Sequence, residues 1–367
     1  MQSEQLLQDK LYYIGQTNTQ MRRLGYVVQI CRLLSDNYLS ISELQKELLD
    51  WAESNQQKLE SHISDKGVIR RSNQALGSRR YIELTESFEL ITPVSGYFRL
   101  TKTGRVLTAL LRDCPKDIAS NPFELGQSET LFLLYQLMLL DRDYLLPIFE
   151  LTLNFHEQNQ LQRETQRKLI EHFQLLWSRL KSQIERFEAE ERISALKNWT
   201  QAIRYSEHLT VPRLNWLLDL KMLDWTIYKT KGEFVPSDTG RLFLDDIPTS
   251  DNNRFVNRLW CQNDLFAMWA KAHKSPVKLW NEFSLSEQRM LIEESVEAGF
   301  KIFRTMQYPR ISAYQLTLFI VIKFIVCRKI LVGFEDIKFA LSNFSNAGKW
   351  TFHWTEIDDD GFLLLPR

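Results

Sequence analysis

The stretch Gly96–Leu107, GYFRLTKTGRVL, recurs later in the chain as Gly232–Phe243, GEFVPSDTGRLF. The two copies align without a gap at a constant offset of 136 residues, since their Thr-Gly glycines lie 240 − 104 = 136 positions apart. A repeat at a fixed spacing indicates one structural unit that is present twice. In each copy a turn glycine leads into a short extended run, and Thr101 or Ser237 then caps a helix. The sequence therefore predicts, at both positions, a hairpin strand followed directly by a helix.

The composition is typical of a globular protein, since 44% of the 367 residues are apolar and 12% are aromatic. This length suffices for a sizeable core and for two or three domains. The 46 basic and 46 acidic residues cancel. A nucleic-acid site must therefore be a local basic patch, because the whole chain exerts no net attraction on phosphate.

The cysteines and the apolar runs predict a cytoplasmic protein without a membrane segment. The four cysteines lie far apart and include no Cys-x-x-Cys pair, which disfavours a zinc ribbon and a disulfide scaffold and favours a reduced setting. The first residues, MQSEQLLQDK, contain no apolar signal-peptide segment. The most apolar run, Leu316–Cys327, has about a dozen residues, fewer than the roughly 20 that a membrane-spanning helix needs.

The region before the first copy carries the helices and the positive charge that a DNA-binding module needs. Apolar spacing and capping signals predict helices that begin near Met21 and Ser42, and a third helix within Lys66–Ile91. From Lys66 to Arg105, eight basic residues outnumber three acidic ones, a local net charge of 8 − 3 = +5. Such a face is either a solvated helix surface or a phosphate-binding surface, and we favour the second because helix and hairpin would act together. The candidate DNA-binding residues are Arg70, Arg71, Arg79, Arg80, Arg99, Lys102 and Arg105.

The sequence Arg79-Arg80-Tyr81, followed by an apolar helix, a short hairpin and Phe-x-Leu-Thr-x-x-Gly-Arg, resembles the winged-helix superfamily of prokaryotic DNA-binding proteins. The resemblance covers about residues 20–112, and in the second copy about residues 200–247. It implies that the third helix is a recognition helix, whose N-terminal half faces the major groove, and that the hairpin is a wing. Winged helices also serve as protein-binding modules, so the resemblance is more specific for fold than for function.

The second copy is a weaker candidate for DNA binding, because its charge is nearly balanced. Thr210 is predicted to be the N-cap, with Pro212 in the first turn, of a short apolar helix, Arg213–Leu223. From Pro212 to the arginine of the second Thr-Gly-Arg there are five basic and four acidic residues, a net charge of 5 − 4 = +1. An exposed Trp216 or Trp225 would mark a protein-binding surface, although core packing is the commoner fate of tryptophan. The weaker candidate contacts are Arg213, Lys229, Lys231 and Arg241.

These features predict a mainly α-helical protein with tandem winged helix-turn-helix domains and small β-wings, joined by a long helical spacer. One long amphipathic helix, Gln158–Lys197, forms much of the spacer, and its short apolar stripe fits packing within the chain better than a dimer coiled coil. An Asp-Gly turn predicts that the helical C-terminal region ends in a β-hairpin, an arrangement that also fits a degenerate third winged helix. The predicted boundaries are 1–19 for an N-terminal arm, 20–113 for winged helix 1, 114–198 for the spacer, 199–250 for winged helix 2 and 251–367 for the C-terminal region.

The sequence contains no recognisable catalytic motif, neither a phosphate-binding loop nor a dinucleotide-binding, zinc-protease or nucleophile-elbow pattern. The six histidines have no metal-ligand spacing. Asp336-Ile337-Lys338 matches half of a metal-dependent nuclease core, a pattern short enough to arise by chance. The acidic run Asp358–Asp360 fits a hairpin turn better than a cation site. We therefore predict no catalytic residue, no bound metal and no cofactor.

The leading functional hypothesis is a non-enzymatic protein that binds double-stranded DNA, mainly through its first winged helix. By analogy with the family, it would be a regulator or the recognition subunit of a prokaryotic DNA-processing or defence assembly. The alternative is an assembly subunit whose winged helices bind protein, with protein partners or a homodimer, as in chromosome-organising complexes. A third hypothesis is a metal-dependent nuclease that uses the C-terminal region.

Overall fold

A computed structural model describes residues 10–62, 66–70, 76–114, 121–228, 231–250, 253–304, 309–345, 349–355 and 360–365. Within these ranges the chain is mainly helical and carries small sheets, nearly all of them antiparallel. This confirms the predicted fold class at the level of secondary structure. The elements fall into three consecutive units, each of which contains a β-hairpin after its main helices.

The first unit combines five helices with a three-stranded antiparallel sheet. Its elements are α1 (Leu24–Leu33), β1 (Leu39–Ser40), α2 (Ile41–Ser54), α3 (Gln56–Glu60), α4 (Leu76–Ser87), β2 (Ile91–Val94), β3 (Tyr97–Leu100) and α5 (Lys102–Asp113). The sheet order is β1-β3-β2, so β3 lies in the middle. A capping box between Ser40 and Glu43 begins α2 directly after β1, two residues before the start predicted at Ser42.

The second unit contains the longest described helix, α8, and a second hairpin. Its elements are α6 (Gln127–Leu140), α7 (Arg142–Leu151), α8 (Gln158–Arg179), α9 (Gln183–Lys197), α10 (Ala202–Asp219), β4 (Leu223–Tyr228), β5 (Lys231–Pro236), α11 (Asp238–Asp246), β6 (Thr249–Ser250) and β7 (Asn253–Arg254). The backbone of Glu157, just before α8, forms an antiparallel bridge with Glu233 of β5. Therefore β5, like β3, lies between two extended segments.

The third unit ends in the predicted C-terminal hairpin. Its elements are α12 (Arg258–Asn263), α13 (Leu265–Ala272), β8 (Lys278–Leu279), α14 (Leu285–Phe303), β9 (Arg310–Ser312), α15 (Ala313–Lys323), β10 (Ile330–Leu331), α16 (Phe334–Ser345), β11 (Thr351–Thr355) and β12 (Asp360–Leu364). A π-helical turn, Phe324–Arg328, extends α15. The C-terminal sheet has the order β11-β12-β9, which again places the second hairpin strand in the middle.

One order of elements therefore occurs three times: a helix, a short extended segment that runs directly into a second helix, a later helix and a hairpin. In the first unit these are α1, β1, α2, α4 and β2–β3. In the second they are α7, the Glu157 bridge, α8, α10 and β4–β5, and in the third α14, β9, α15, α16 and β11–β12. In each unit the early segment pairs with the second strand of the hairpin.

The two copies of the sequence repeat adopt the same local structure. The hydroxyl oxygens of Thr101 and Ser237 each accept a hydrogen bond, at 3.0 Å, from the glycine nitrogen three residues later. The same hydroxyls donate to the carbonyl oxygens of Glu89 and Lys221, two residues with positive φ of 54° and 60° that end the preceding helix. The hairpin between these positions is longer in the second unit, since 237 − 221 = 16 exceeds 101 − 89 = 12.

Replacing Gly104 or Gly240 by alanine is expected to lower the free energy of unfolding by about 1–3 kcal/mol. The added methyl group would overlap the carbonyl oxygen of Leu90 or Met222, so the backbone must shift. Urea unfolding measures the loss. Gly77→Ala on α4 is the matched control, because a methyl group there makes only ordinary contacts and alanine favours helix. Equal stability of all three variants would contradict the tight contacts.

The predicted long helix Gln158–Lys197 is wrong, because the chain turns sharply between α8 and α9. Leu180 has an extended backbone and ends α8, and Ser182 caps α9 by accepting a hydrogen bond from the nitrogen of Ile184. Helix α9 folds back along α8, so the predicted stripe does not continue: Ile184 and Phe187 are exposed. The helix around Pro212 also differs from prediction, since α10 begins at Ala202 and contains this proline in its interior.

Residues 10–23, expected in part to be a loose arm, are packed between the helices of the second unit. The nitrogen of Ile14 donates to Oδ1 of Asp141 at 2.8 Å, and the nitrogen of Tyr12 donates to Oδ2 of Asp143 at 2.7 Å. The guanidinium carbon of Arg142 lies 3.6 Å from the centroid of the Tyr12 ring, a cation–π contact. Backbone and side chains thus fix this extended segment against the start of α7.

A continuous hydrophobic core connects the three units. A disulfide joins Cys114, after α5, to Cys327 in the π-helical turn. Beside it, Nζ of Lys323 lies 2.7 Å from Oδ2 of Asp113. The disulfide differs from the prediction of reduced cysteines, because the two residues are 213 positions apart and their pairing leaves no local signal in the sequence.

Candidate nucleic-acid interface

The predicted recognition helix α4 presents arginines that have an acidic neighbour. Arg79 and Arg80 lie on its exposed face, with guanidinium nitrogens 3.0 and 3.7 Å from the carboxylate of Glu83. Arg70, before this helix, lies 3.2 Å from Glu60. Exposed ion pairs of this kind contribute little stability, but they reduce the net positive charge that the surface presents.

A basic groove, which we call the wing groove, lies beside the β2–β3 hairpin and extends along α5. It consists of two adjoining cavities of about 730 and 480 Å³, which share Ser35, Asp36 and Arg105. Asp36 is the single acidic residue in its described lining. The six basic residues that line it are Arg32, Arg99, Lys102, Arg105, Arg112 and Arg304. The lining of the wing groove is therefore more basic than the chain as a whole, whose net charge is zero, although Lys102, Arg32 and Arg112 each pair with a carboxylate outside the lining.

Strand β3 and the first turns of α5 place three predicted contacts, Arg99, Lys102 and Arg105, in the wing groove. Arg99 is exposed and extends from the open face of the sheet. Lys102 pairs with Asp360 of the third unit at 2.7 Å and remains largely exposed. Arg105 donates from Nη2 to the carbonyl oxygen of Ile302 at 3.0 Å. Burial lowers the pKa of Arg105, but an arginine keeps its charge at neutral pH.

Asp360 holds Lys102 in place and is itself held by the third unit. Its Oδ1 accepts hydrogen bonds from Oγ of Ser312 at 2.8 Å and from the nitrogen of Tyr314 at 3.0 Å. Burial raises the pKa of Asp360, but hydrogen bonds from Lys102, Gly361 and the other donors outweigh it and lower the pKa below its usual range. The carboxylate is therefore charged at neutral pH and neutralises part of the positive charge of Lys102.

The other cations of the wing groove come from elements outside the sequence repeat. Arg304 is exposed and ends α14. Arg32, in the last turn of α1, lies 2.9 Å from Glu129. Arg112, near the end of α5, lies 3.2 Å from Asp113. The first and third units together therefore build the groove, and neither unit alone supplies its full charge.

The weaker candidates of the second unit do not form a basic surface in the described chain. Arg213 is fully buried, so its prediction as a DNA contact is wrong for a physical reason: its guanidinium is enclosed by the protein. Arg241 is exposed on α11. Arg71, Lys229 and the side chain of Lys231 lie outside the described residues. Of the two tryptophans, Trp216 is buried and packs in the core, whereas Trp225 is partly exposed on β4.

The charged residues of the short nuclease-like pattern, Asp336 and Lys338, each make structural contacts and do not point to one common site. Oδ2 of Asp336 accepts a hydrogen bond from the nitrogen of Gly333 at 2.9 Å, at the start of α16. Lys338 pairs with Glu335 at 2.9 Å, and its ammonium lies 4.4 Å from the centroid of the Trp354 ring. Within the described ranges, no group of three or more histidine, cysteine, aspartate or glutamate side chains is placed to hold a metal ion.

Comparisons with known proteins leave the family of this chain open. No protein-family profile matches it, and no curated protein is significantly similar to it. In the part of the chain that the structure describes, every helix is too short or too polar to cross a membrane. The function must therefore be argued from the geometry and the charge of the site.

Sequence reasoning found half of the basic lining of the wing groove and missed the other half. Arg99, Lys102 and Arg105 belong to the repeat, whose pattern drew attention to them. Arg304 follows a helix whose spatial relation to the first hairpin no local pattern specifies. The only available signal was the charge of single arginines, which does not distinguish a groove from a solvated surface.

Proposed function

We propose that this protein binds DNA without acting on it chemically, and that the wing groove is its phosphate-binding site. The order of elements in the three units supports their assignment as winged helices, with the third a degenerate copy. The second winged helix would then begin at α7, within the region 114–198 that was predicted as the spacer, and not at residue 199. In that assignment β2–β3 is the first wing. The protein would serve as a regulator or as the recognition subunit of a DNA-processing or defence assembly, in which other subunits supply the chemistry.

The observation that carries this proposal is the segregation of charge. Six cationic side chains and one carboxylate line the wing groove, whereas basic and acidic residues are equal in number over the whole chain. Lining a concave surface with like charges costs electrostatic free energy unless a ligand of opposite charge occupies it. A phosphate backbone supplies that charge in a regular row, and its binding releases condensed counterions.

The geometry assigns different tasks to the cations. Lys102 and Arg105 are held by Asp360 and by the carbonyl oxygen of Ile302, so their positions are fixed before a ligand arrives. Arg99 and Arg304 are exposed and lie on opposite units. A DNA strand in the groove would therefore meet two positioned charges and two adaptable arginines, which bind its phosphates without reading its sequence.

Removing two charges from the wing groove is expected to weaken DNA binding more than removing two charges from α4. We expect Arg99→Ala/Arg304→Ala to lower the affinity for a random-sequence duplex of about 30 base pairs by tenfold or more. The variant should also reduce the slope of log affinity against log salt by about 2. Fluorescence anisotropy at about 50 and 200 mM salt measures both quantities.

Arg79→Ala/Arg80→Ala is the matched control, since it also removes two positive charges but leaves the groove intact. It should retain most of the wild-type affinity, because both arginines already have Glu83 as a neighbour. A larger loss in this control would place the DNA on α4 and overturn the assignment of the groove. Absence of any binding by the wild type at low salt would overturn the DNA-binding function itself.

A second candidate function, protein assembly, is favoured by the surface of the second unit. Ile227 and Trp225 are exposed on β4, and Leu242 is exposed on the following helix. Apolar side chains on a hairpin that corresponds to a wing are suited to binding a protein partner. This function predicts an interaction that depends weakly on salt, in contrast to phosphate binding.

A further inference from the structure

The wing groove contains an aromatic side chain that phosphate binding alone does not require. Tyr38, between α1 and β1, is 72% exposed and lines the groove with Arg99 and Arg105. The next residue, Leu39, pairs with Phe98 across the sheet. Arg99 extends from the open face of the sheet, because side chains alternate along a strand and Phe98 is buried, and Tyr38 lines the same cavity as Arg99.

A second tyrosine continues this open face. Tyr97 lies two residues before Arg99 on β3 and is half exposed. Opposite these two residues on β2 stand Val94 and Thr92. The alternate residue Phe98 points into the core. The open face of the sheet and the adjoining cavity therefore present two aromatic rings beside an arginine, next to the cations of the groove.

Rings that alternate with cations are suited to unpaired nucleotides. A base stacks on an exposed ring only when it is free of its own partner and its own stack, whereas arginine and lysine bind the phosphates of either form of DNA. The larger cavity, of about 730 Å³, falls within the range of pockets that enclose small ligands. A duplex would bring its phosphates to the rim but would keep its paired bases away from Tyr38.

We propose that the wing groove binds a single-stranded segment of DNA, with one base stacked on Tyr38 and the flanking phosphates on Arg99, Arg105 and Arg304. This inference rests on the proposed function and specifies its ligand: DNA with an unpaired end or fork instead of fully paired DNA. Tyr97 offers a stacking surface for a neighbouring base on the same sheet face. Selectivity then arises from stacking, while the cations supply affinity for any DNA.

The experiment compares three labelled probes at one salt concentration: an oligothymidylate of about 15 nucleotides, a duplex, and a fork with an unpaired arm. The wild type is expected to bind the single strand and the fork more tightly than the duplex. Tyr38→Ala should weaken binding of the single strand by about 5- to 150-fold, the loss of one stacked base. Its affinity for the duplex should not change, because duplex phosphates reach the unaltered cations.

Two control variants separate stacking from other effects. Tyr38→Phe keeps the ring and should bind the single strand like the wild type. Tyr205→Ala removes an exposed tyrosine of α10, away from the groove, and should have no effect. Circular dichroism and thermal unfolding test whether each variant is folded. We expect Tyr38→Ala to fold, because Tyr38 is exposed.

The outcomes distinguish this inference from the proposed function. Base stacking in the groove is overturned if Tyr38→Ala binds the single strand as tightly as the wild type does. It is also overturned if the wild type binds the duplex more tightly than the single strand. If Arg99→Ala/Arg304→Ala still loses duplex affinity in that case, phosphate binding by the groove stands. If no probe binds at low salt, both proposals fall together.

Discussion

Arg213→Ala is expected to lower the free energy of unfolding by about 3–5 kcal/mol, the usual loss when one partner of a buried ion pair is removed. Nε and Nη2 of Arg213 donate to the two carboxylate oxygens of Asp141 at 2.7 and 2.6 Å. Further hydrogen bonds reach the carbonyl oxygens of Leu209 and Ile14, both at 2.9 Å. Alanine would leave a buried carboxylate and two carbonyl groups without this donor.

The loss should depend on pH. Burial raises the pKa of Asp141, and Arg213 offsets part of that rise. Without Arg213 the pKa rises further, so the native variant takes up a proton at a higher pH than the unfolded chain does. This proton uptake stabilises the native variant relative to its unfolded chain as the pH falls. The loss of unfolding free energy caused by Arg213→Ala should therefore be larger at about pH 8 than at about pH 5.

Urea unfolding at both pH values measures these two effects. Arg241→Ala is the control, because Arg241 belongs to the same unit but is exposed. It should change stability by less than about 0.5 kcal/mol. If Arg213→Ala also lowers the free energy of unfolding by less than about 0.5 kcal/mol, solvent reaches Asp141 and the ion pair is not buried.

Replacing both Cys114 and Cys327 by serine is expected to lower the free energy of unfolding by about 2–4 kcal/mol under oxidising conditions. The disulfide closes a loop across 213 residues of sequence separation, so it restricts the unfolded chain strongly. It also ties the end of α5 in the first unit to the π-helical turn of the third. Reduction of the wild type should produce the same loss, whereas the serine variant should be insensitive to a dithiol reductant.

Thiol titration provides an independent test of this bond. Cys31 and Cys261 are buried and free, and burial raises the pKa of Cys261 to about 12, which makes its thiol unreactive in the native protein. The oxidised protein should therefore show two reactive thiols, and only after unfolding. Four thiols in the unfolded, unreduced protein would contradict the disulfide.

The local structure of the repeat was predictable because short-range chemistry determines it. Thr101 and Ser237 can cap a helix whatever surrounds them, and a hydroxyl followed three residues later by glycine specifies the same turn in both copies. The C-terminal hairpin followed from the alternation of apolar residues, but Asp360 and Gly361, which were predicted to form its turn, lie in strand β12. These signals predicted the strands β3, β5, β11 and β12 close to their observed positions.

Other features depended on contacts between distant residues and left no local signal. Pro212 was predicted to begin a helix, since proline is favoured in a first turn. In the structure tertiary packing keeps it inside the buried helix α10. Likewise the periodic apolar residues of Gln158–Lys197 specify helix but not where it folds back, and Ser182 is an inconspicuous cap. Propensity is a weak guide when burial decides the conformation.

The candidate site was predictable only to the extent that it belongs to the repeat. The charge count predicted that Arg79 and Arg80 share one basic face with Arg99, although Glu83 lies beside both helix arginines. Conversely, Arg304 and Tyr38 gave no signal. Arg304 becomes a neighbour of Arg99 only when the first and third units pack together, and Tyr38 only when β1 pairs with β3. A linear count of charge cannot show which cations share a groove.

The packed N-terminal segment has a consequence for biosynthesis. Ile14 bonds with Asp141 and with Arg213, residues that lie 127 and 199 positions further along the chain. At ordinary rates of translation, about 10 to 40 s pass before the ribosome has made the second of these partners. During that interval the binding site of the segment is incomplete, and the segment is accessible to chaperones and proteases. The segment is therefore fixed in place long after it has been synthesised, and folding can finish only after α10 has left the ribosome.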